Sequence, residues 1–184
     1  MNKTYKMTIA GIERELPLFA VNDKLDIAAF IMFSDVEITV ACAEELLKKV
    51  PEFDVLITAE SKGIPLAYEM ARQSGKPYVV IRKSVKVYMK NSTKVTVKSI
   101  TTAEEQTMYL GEDDMDKLRN KRVLIVDDVI STGGSLRSIE QFCEKANATI
   151  CGEAAVLAEG DAAERDDIIF LEKLPLFFNL IFTL

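Results

Sequence analysis

The chain has 184 residues, 48% of them hydrophobic and 28% charged, with a net charge of −6 and no histidine. That length suits a single domain, 1–184, with a real core. The acidic balance argues against a nucleic-acid surface, and no apolar run approaches a bilayer span. Without histidine, Ser-His-Asp and Cys-His catalysis are excluded, and any metal must take oxygen ligands, which points to magnesium.

In chain order, the stretch Met1-Asn-Lys-Thr-Tyr5 has no apolar h-region, so no secretory signal is expected. Residues 4 to 21 alternate loosely around Gly11 and predict a hairpin, with Pro17 suited to an edge position. Residues 24 to 50 read as helix, broken near Ser34, where Ser34 and Glu37 have capping-box spacing. Val36, Val40, Ala43, Leu46 and Leu47 form its apolar stripe. Lys48 and Lys49 occupy its last turn, and Pro51 stops it.

Val55 to Thr58 is a buried strand, followed by Glu60-Ser61-Lys62-Gly63 and a helix from Ile64 to Gln73, with Gly75 as its stop. Pro77 to Ile81 is a third strand, and Arg82 and Lys83 follow it directly. Ser84 to Met108 has no compact core pattern and carries Lys86, Lys90, Lys94 and Lys98. Its alternation at Lys94–Lys98 predicts an exposed two-stranded flap, and so long a polar excursion is usually functional. Gly111 to Arg122 reads as an exposed polar connector. Its acids lack the spacing of a calcium loop.

Val123 to Val126 is a short apolar run suited to a strand buried on both faces. Asp127 and Asp128 end it. The loop Ser131-Thr132-Gly133-Gly134-Ser135 follows, and then a helix with Leu136, Ile139, Phe142 and Cys143 on one face. Glycines bring backbone N–H groups close to a ligand, hydroxyls add donors, and a helix N-terminus favours an anion. This is a phosphate cradle. Ionised carboxylates beside it accept from sugar hydroxyls or a hydrated cation. A phosphate site next to a polyol site describes a sugar phosphate.

Residues 150 to 158 form another strand, ending at Glu159-Gly160-Asp161, and 168 to 171 a further one. The apolar tail, 174 to 184, is a final strand or part of a subunit contact. Cys42, Cys143 and Cys151 lack metal spacing and read as reduced core thiols, which places the protein in the cytoplasm. Alternating strands and helices predict an α/β fold, a mainly parallel twisted sheet with helices on both faces.

The stretch Val123 to Ser135 resembles the phosphoribosyl-pyrophosphate (PRPP) motif of type I phosphoribosyltransferases, and the purine type is the best match. Glu60-Ser61-Lys62-Gly63 is similar to the family's pyrophosphate loop, and Arg82, Lys83 and Lys86 match the basic pattern of its mobile flap. The resemblance implies that Asp127 and Asp128 hold the ribose and Ser131 through Ser135 the 5′-phosphate. It further implies that Lys62, Arg82 and Lys86 steady the leaving pyrophosphate, that residues 4 to 21 form a hood over the base, and that Mg2+ enters mainly on PRPP, near Asp127. A homodimer is the expected assembly.

The implied activity is transfer of ribose 5-phosphate from PRPP to a purine. The base is read from two conflicting features. Residues 99 to 105 are similar to the xanthine-type loop. Glu159 stands where xanthine-type enzymes tend to carry a lysine, and an acceptor there favours adenine. Glu159 is weighed above the loop. A PRPP-sensing regulator, like purine-operon repressors with a similar domain, is the alternative. The short segment before the first core helix and the acidic charge favour an enzyme.

Overall fold

Five strands made largely of continuous apolar residues build the centre of the molecule. The computed structural model describes residues 3–98 and 105–179. β4 (Val55–Ala59) is buried at all five positions. β5 (Tyr78–Ile81), β8 (Arg122–Ile130), β9 (Thr149–Glu159) and β10 (Ile168–Leu174) complete a sheet in the order β10-β9-β8-β4-β5. Every pairing is parallel, with Ile57 opposite Ile125 and Asp127 opposite Ala155.

Side chains alternate across this sheet, so neighbours on one strand feed two cores. Leu56, Leu124 and Val126 face α1 (Val36–Leu47) and α2 (Ile64–Ser74). Val55, Ile57, Val123 and Ile125 face α3 (Glu112–Leu118) and α4 (Gly134–Lys145), through Met115, Leu118, Ile139 and Phe142. Helices thus cover both faces, as expected. The chain runs from β4 out to β5 and returns as β8 on the other side of β4. That reversal opens a crevice at the carboxyl ends of β4 and β8, where open α/β sheets hold ligands.

The hood is antiparallel. β1 (Thr4–Ile9), β2 (Ile12–Asn22), β3 (Leu25–Ala28) and β11 (Phe177–Phe178) lie in that order. Its inner residues Ile9, Leu16 and Ala28, with Phe30 and Met32 just beyond, join the core on the α1–α2 face. Pro17 is not on an edge strand. β2 is flanked on both sides, and Pro17 sits opposite Thr4, one residue before β2 begins to pair with β3 at Leu18. Its carbonyl still accepts from Ala29 N at 2.9 Å, and only the reciprocal N–H bond of that pair is missing.

Several boundaries differ from the sequence reading. Residues 25–28 are strand, and helix starts only at Val36. Asp35, not Ser34, caps it: its side chain accepts from Ile38 N at 3.2 Å and takes Arg14 in two further bonds, at 2.8 and 3.0 Å. Ser34 lies at φ 66°, outside the helical turn. The buried stripe is Ile38, Cys42, Ala43 and Leu46, while Val36 and Val40 are exposed. Lys48 is the C-cap residue rather than part of the last turn. Gly75 ends α2 in the left-handed region, at φ 69°, as predicted.

The polar connector contains α3, which buries Met115 and Leu118. The flap is β6 (Thr93–Lys98) paired with β7 (Glu105–Leu110). Contrary to the expected lack of a core pattern, Val95, Met108 and Leu110 are buried against the α3–α4 side. An isolated bridge between Arg82 and Tyr109, with backbone bonds of 2.9 and 2.8 Å, ties the flap to the end of β5. The loop compared with xanthine-type enzymes falls on residues 99 to 105, of which 99–104 lie outside the described residues. So do residues 180–184 of the apolar tail; its described part forms β11.

Candidate active site

Asp127 and Asp128 do not end their strand, as the sequence suggested. β8 runs on to Ile130 because β9 keeps pairing it there, Val129 opposite Leu157 and Ile130 opposite Ala158. The described β4–β8 pairing reaches only Ile57 and Ile125. The two acids therefore lie just where β8 outruns β4, beside the loop that leaves β4.

That loop, Glu60 to Gly63, approaches β8 closely. A β-carbon on Gly63 would overlap Thr58 Oγ1 and lie 2.9 Å from Asp127 Oδ1 and 3.2 Å from Asp127 Cα. Only glycine lets the backbone pass there. The Glu60–Ser61 peptide is cis. Lys62 Nζ then lies 3.0 Å from Asp128 Oδ2. The contact supplies opposite charge without hydrogen-bond alignment, so this buried oxygen keeps unused acceptor capacity.

The two carboxylates are chemically unlike. Asp127 Oδ1 accepts from Asp128 N at 2.9 Å. Burial, reinforced by the Asp128 charge next door, pushes the Asp127 carboxyl up to about 7, and the Lys62 charge offsets this in part. Glu159, at the end of β9, is half-buried. Burial raises its pKa, and Lys62 again opposes the shift. Lys62 is thus the cation common to the three carboxylates.

A second group gathers around Glu60. Its carboxylate accepts from Lys83 N at 3.0 Å and lies 3.3 Å from Arg82 Nη2. The backbone bond from Lys83 holds its pKa below the usual range, helped by the charges of Arg82, Lys86 and Lys83. Lys86 Nζ donates to Ser84 Oγ at 2.8 Å. Arg82 and Lys83 therefore meet the β4 loop directly, while Lys86 stands further out.

The cradle follows β8. Gly133 adopts φ 71° and caps α4, whose first residues are Gly134 and Ser135. Asp127, Ser131, Thr132, Gly133 and Gln106 line a cleft of about 220 Å³. Ser131 and Thr132 are exposed to it. Sequence reasoning singled out every member of these groups except Thr58 and Gln106. Thr58 looked like ordinary strand filling. Gln106 belongs to a flap read mainly for its lysines.

Strand order, a crevice at the switch point and a glycine-and-hydroxyl loop beside paired acids define an open α/β domain with a candidate site at the carboxyl edge of its sheet. The chain belongs to the phosphoribosyl transferase domain family, which it matches over residues 37–176. It is 36% identical over 112 residues to a hypoxanthine/guanine phosphoribosyltransferase of Methanococcus voltae, covering 61% of this chain and 56% of that one. It is 34% identical over 113 residues to the purine biosynthesis transcriptional repressor PurR of Bacillus subtilis, covering 61% and 39%. The match thus spans less than two thirds of either relative's length. In structure it resembles the adenine phosphoribosyltransferase of Thermoanaerobacter pseudethanolicus (TM-score 0.65, 20% identity, 78% of this chain and 84% of that one). That of Leishmania donovani gives TM-score 0.65 at 19% identity, over 94% and 75%. At such identities the likeness speaks for the fold.

Proposed function

We propose that the protein is a purine phosphoribosyltransferase. It transfers ribose 5-phosphate from PRPP to a ring nitrogen of a purine and releases pyrophosphate, a reaction of purine salvage. The observation that carries this reading is the meeting of one strand and two loops at one crevice: the acid pair of β8, the cradle 131–135 and the Lys62 loop. In the step itself, the bond from the sugar's anomeric carbon to the pyrophosphate oxygen breaks, and its electron pair leaves with pyrophosphate. A nitrogen lone pair of the base forms the new bond, and the proton of that nitrogen passes to the released pyrophosphate, a phosphate base.

Positive charge builds on the sugar ring as the leaving group departs. Asp127 and Asp128 anchor the ribose hydroxyls and place negative charge beside that ring. Lys62, Arg82 and Lys86 steady the pyrophosphate, and Glu60 orients Arg82 and the Lys83 backbone. Closure of the flap excludes water, which would otherwise hydrolyse PRPP. Mg2+ would enter mainly on PRPP, near Asp127, with spare acceptor capacity at the neighbouring Asp128 Oδ2. When bound, it neutralises charge on the leaving pyrophosphate.

Glu159 supports adenine as the base. Half-buried at the crevice edge, its carboxylate, when ionised, accepts from an exocyclic amino group and repels the oxygen on the purine's second carbon. The relative from M. voltae is named for hypoxanthine and guanine, so the panel must cover all four bases. Turnover of PRPP with adenine, hypoxanthine, guanine and xanthine, followed by pyrophosphate release, tests the reading. Adenine is expected to lead, and Glu159→Ala to narrow the preference. A clear preference for another base overturns the assignment of Glu159. The similarity to PurR supports a second reading, a PRPP-binding regulator. PRPP binding with no turnover of any purine would favour it. We further propose a homodimer, checked by sedimentation, and a reducing, cytoplasmic setting that suits three free cysteines.

A further inference from the structure

Arg165 was not among the residues that the sequence pointed to, yet it stands beside the cradle. It follows the 3₁₀ turn Gly160–Glu164 that leaves β9. A β-carbon at Gly133 would lie 3.9 Å from Arg165 Nη1. Resting on the reading of this crevice as a site for a 5-phosphorylated ribose, we propose that Arg165 is the cation of the 5′-phosphate subsite.

Charge is the first argument. A phosphate monoester carries close to two negative charges near neutral pH. Ser131 to Ser135 offer hydroxyls and backbone N–H groups but no cation. The cations named above come from the loops after β4 and β5, and two are already engaged, Lys62 with Asp128 and Arg82 with Glu60. The cradle thus needs a positive partner from another direction.

Geometry is the second argument. Arg165 donates from Nε to Asp167 Oδ1 at 2.8 Å and from Nη2 to Asp167 Oδ2 at 2.6 Å. Its Nη2 also lies 3.8 Å from Glu153 Oε2. One edge of the planar fork is therefore clamped, and Nη1 makes no hydrogen bond among the described residues. A clamped guanidinium loses little freedom when its remaining amino group takes a phosphate oxygen. Asp167 is then a positioning residue. A brace between β9 and β10 would use the Asp167 edge alone and would give no reason for Nη1 to stand next to Gly133.

The test measures binding of ribose 5-phosphate and, separately, of inorganic pyrophosphate with Mg2+, by calorimetry on the full chain. Arg165→Gln should weaken ribose 5-phosphate on the order of tenfold or more, the size of a lost charge-assisted bond. Pyrophosphate binding should stay within about twofold, inside the spread of surface substitutions. Asp167→Asn, which keeps the arginine but loosens its clamp, should give a smaller loss for ribose 5-phosphate alone. Arg137→Gln is the charge control. Arg137 is exposed on the first turn of α4 and lines a separate groove with Glu140 and Glu144. Unchanged ribose 5-phosphate affinity in Arg165→Gln overturns the proposal, and so does an equal loss for both ligands or in Arg137→Gln. If the wild-type protein binds neither PRPP nor ribose 5-phosphate, the proposed function falls as well. If the wild type binds and Arg165→Gln matches it, only this inference falls.

Discussion

Two adjacent aspartates on one strand meet opposite fates because side chains of neighbours point to opposite sides. Asp128 is only 2% exposed and faces Lys62. Asp127 is half-buried at the cleft without a cation of its own, and desolvation holds its folded pKa at about 7, well above the ordinary carboxylate value. The sign follows from linkage. Between about pH 4 and 7 the unfolded chain has lost this proton and the folded chain keeps it, so stability falls as pH rises through that window. Asp127→Asn should therefore melt higher than wild type above pH 7. The gap should shrink as pH falls from 7 toward 4. Thermal melts of both proteins across that range check it, and a gap independent of pH counts against a desolvated Asp127. The acids and their lysine were legible because charged residues interrupt an apolar run. The reason for Gly63 was not. It depends on Thr58 and Asp127 crowding that position from two different strands, and neither spacing nor composition reports a distance between strands.

At the scale of elements, the strongest local signals led to the right structures. β4 and β8 carry continuous apolar runs followed by a glycine-bearing loop, and α2 and α4 are apolar stripes with a glycine at the boundary. Residues 24 to 34 went wrong for a physical reason. Leu25 and Ile27 are apolar, yet in β3 the residues that turn inward are Asp26 and Ala28. Asp26 is satisfied there by Asn179 Nδ2 at 3.1 Å, a partner 153 positions away. No local pattern reveals such a partner. The flap was half legible. Lys90 and Lys94 lie on the outer side, but Val95 and Met108 anchor it in the core. Hydrogen exchange should accordingly divide it. Amides of the 95–108 ladder should be protected in the free protein, while residues 84–92, rich in lysine and with Val85, Val87 and Tyr88 exposed, should exchange fast and slow by about tenfold or more with PRPP and Mg2+. Uniformly fast exchange through Thr93–Lys98 without ligand would show that the anchoring is not maintained.

For the whole molecule, the sheet and the hood differ in how they are held. The sheet is buried between two helical layers. The hood depends on smaller contacts, among them Tyr5 and Phe177, whose rings meet edge-on at 5.0 Å. Phe177→Ala should lower hood stability by about 1–2 kcal/mol. Amides of β3 should then exchange faster while those of β4 and β8 stay unchanged. Residue-resolved exchange checks this, and parallel loss in all three strands would mean that hood and sheet unfold as one unit.

The pairing of β3 with β11 also orders events in time. Phe177 sits opposite Asp26, and Asn179 N donates to Lys24 O at 2.8 Å. On a ribosome, the early strands emerge long before their last neighbour, while β4, β5, β8 and β9 find partners as they appear. The sheet can thus assemble during synthesis, but the last strand of the hood waits for residues 177–179. Loop closure over so long a span is slow relative to local pairing. A nascent chain stalled shortly before that point would present the crevice without its fourth hood strand.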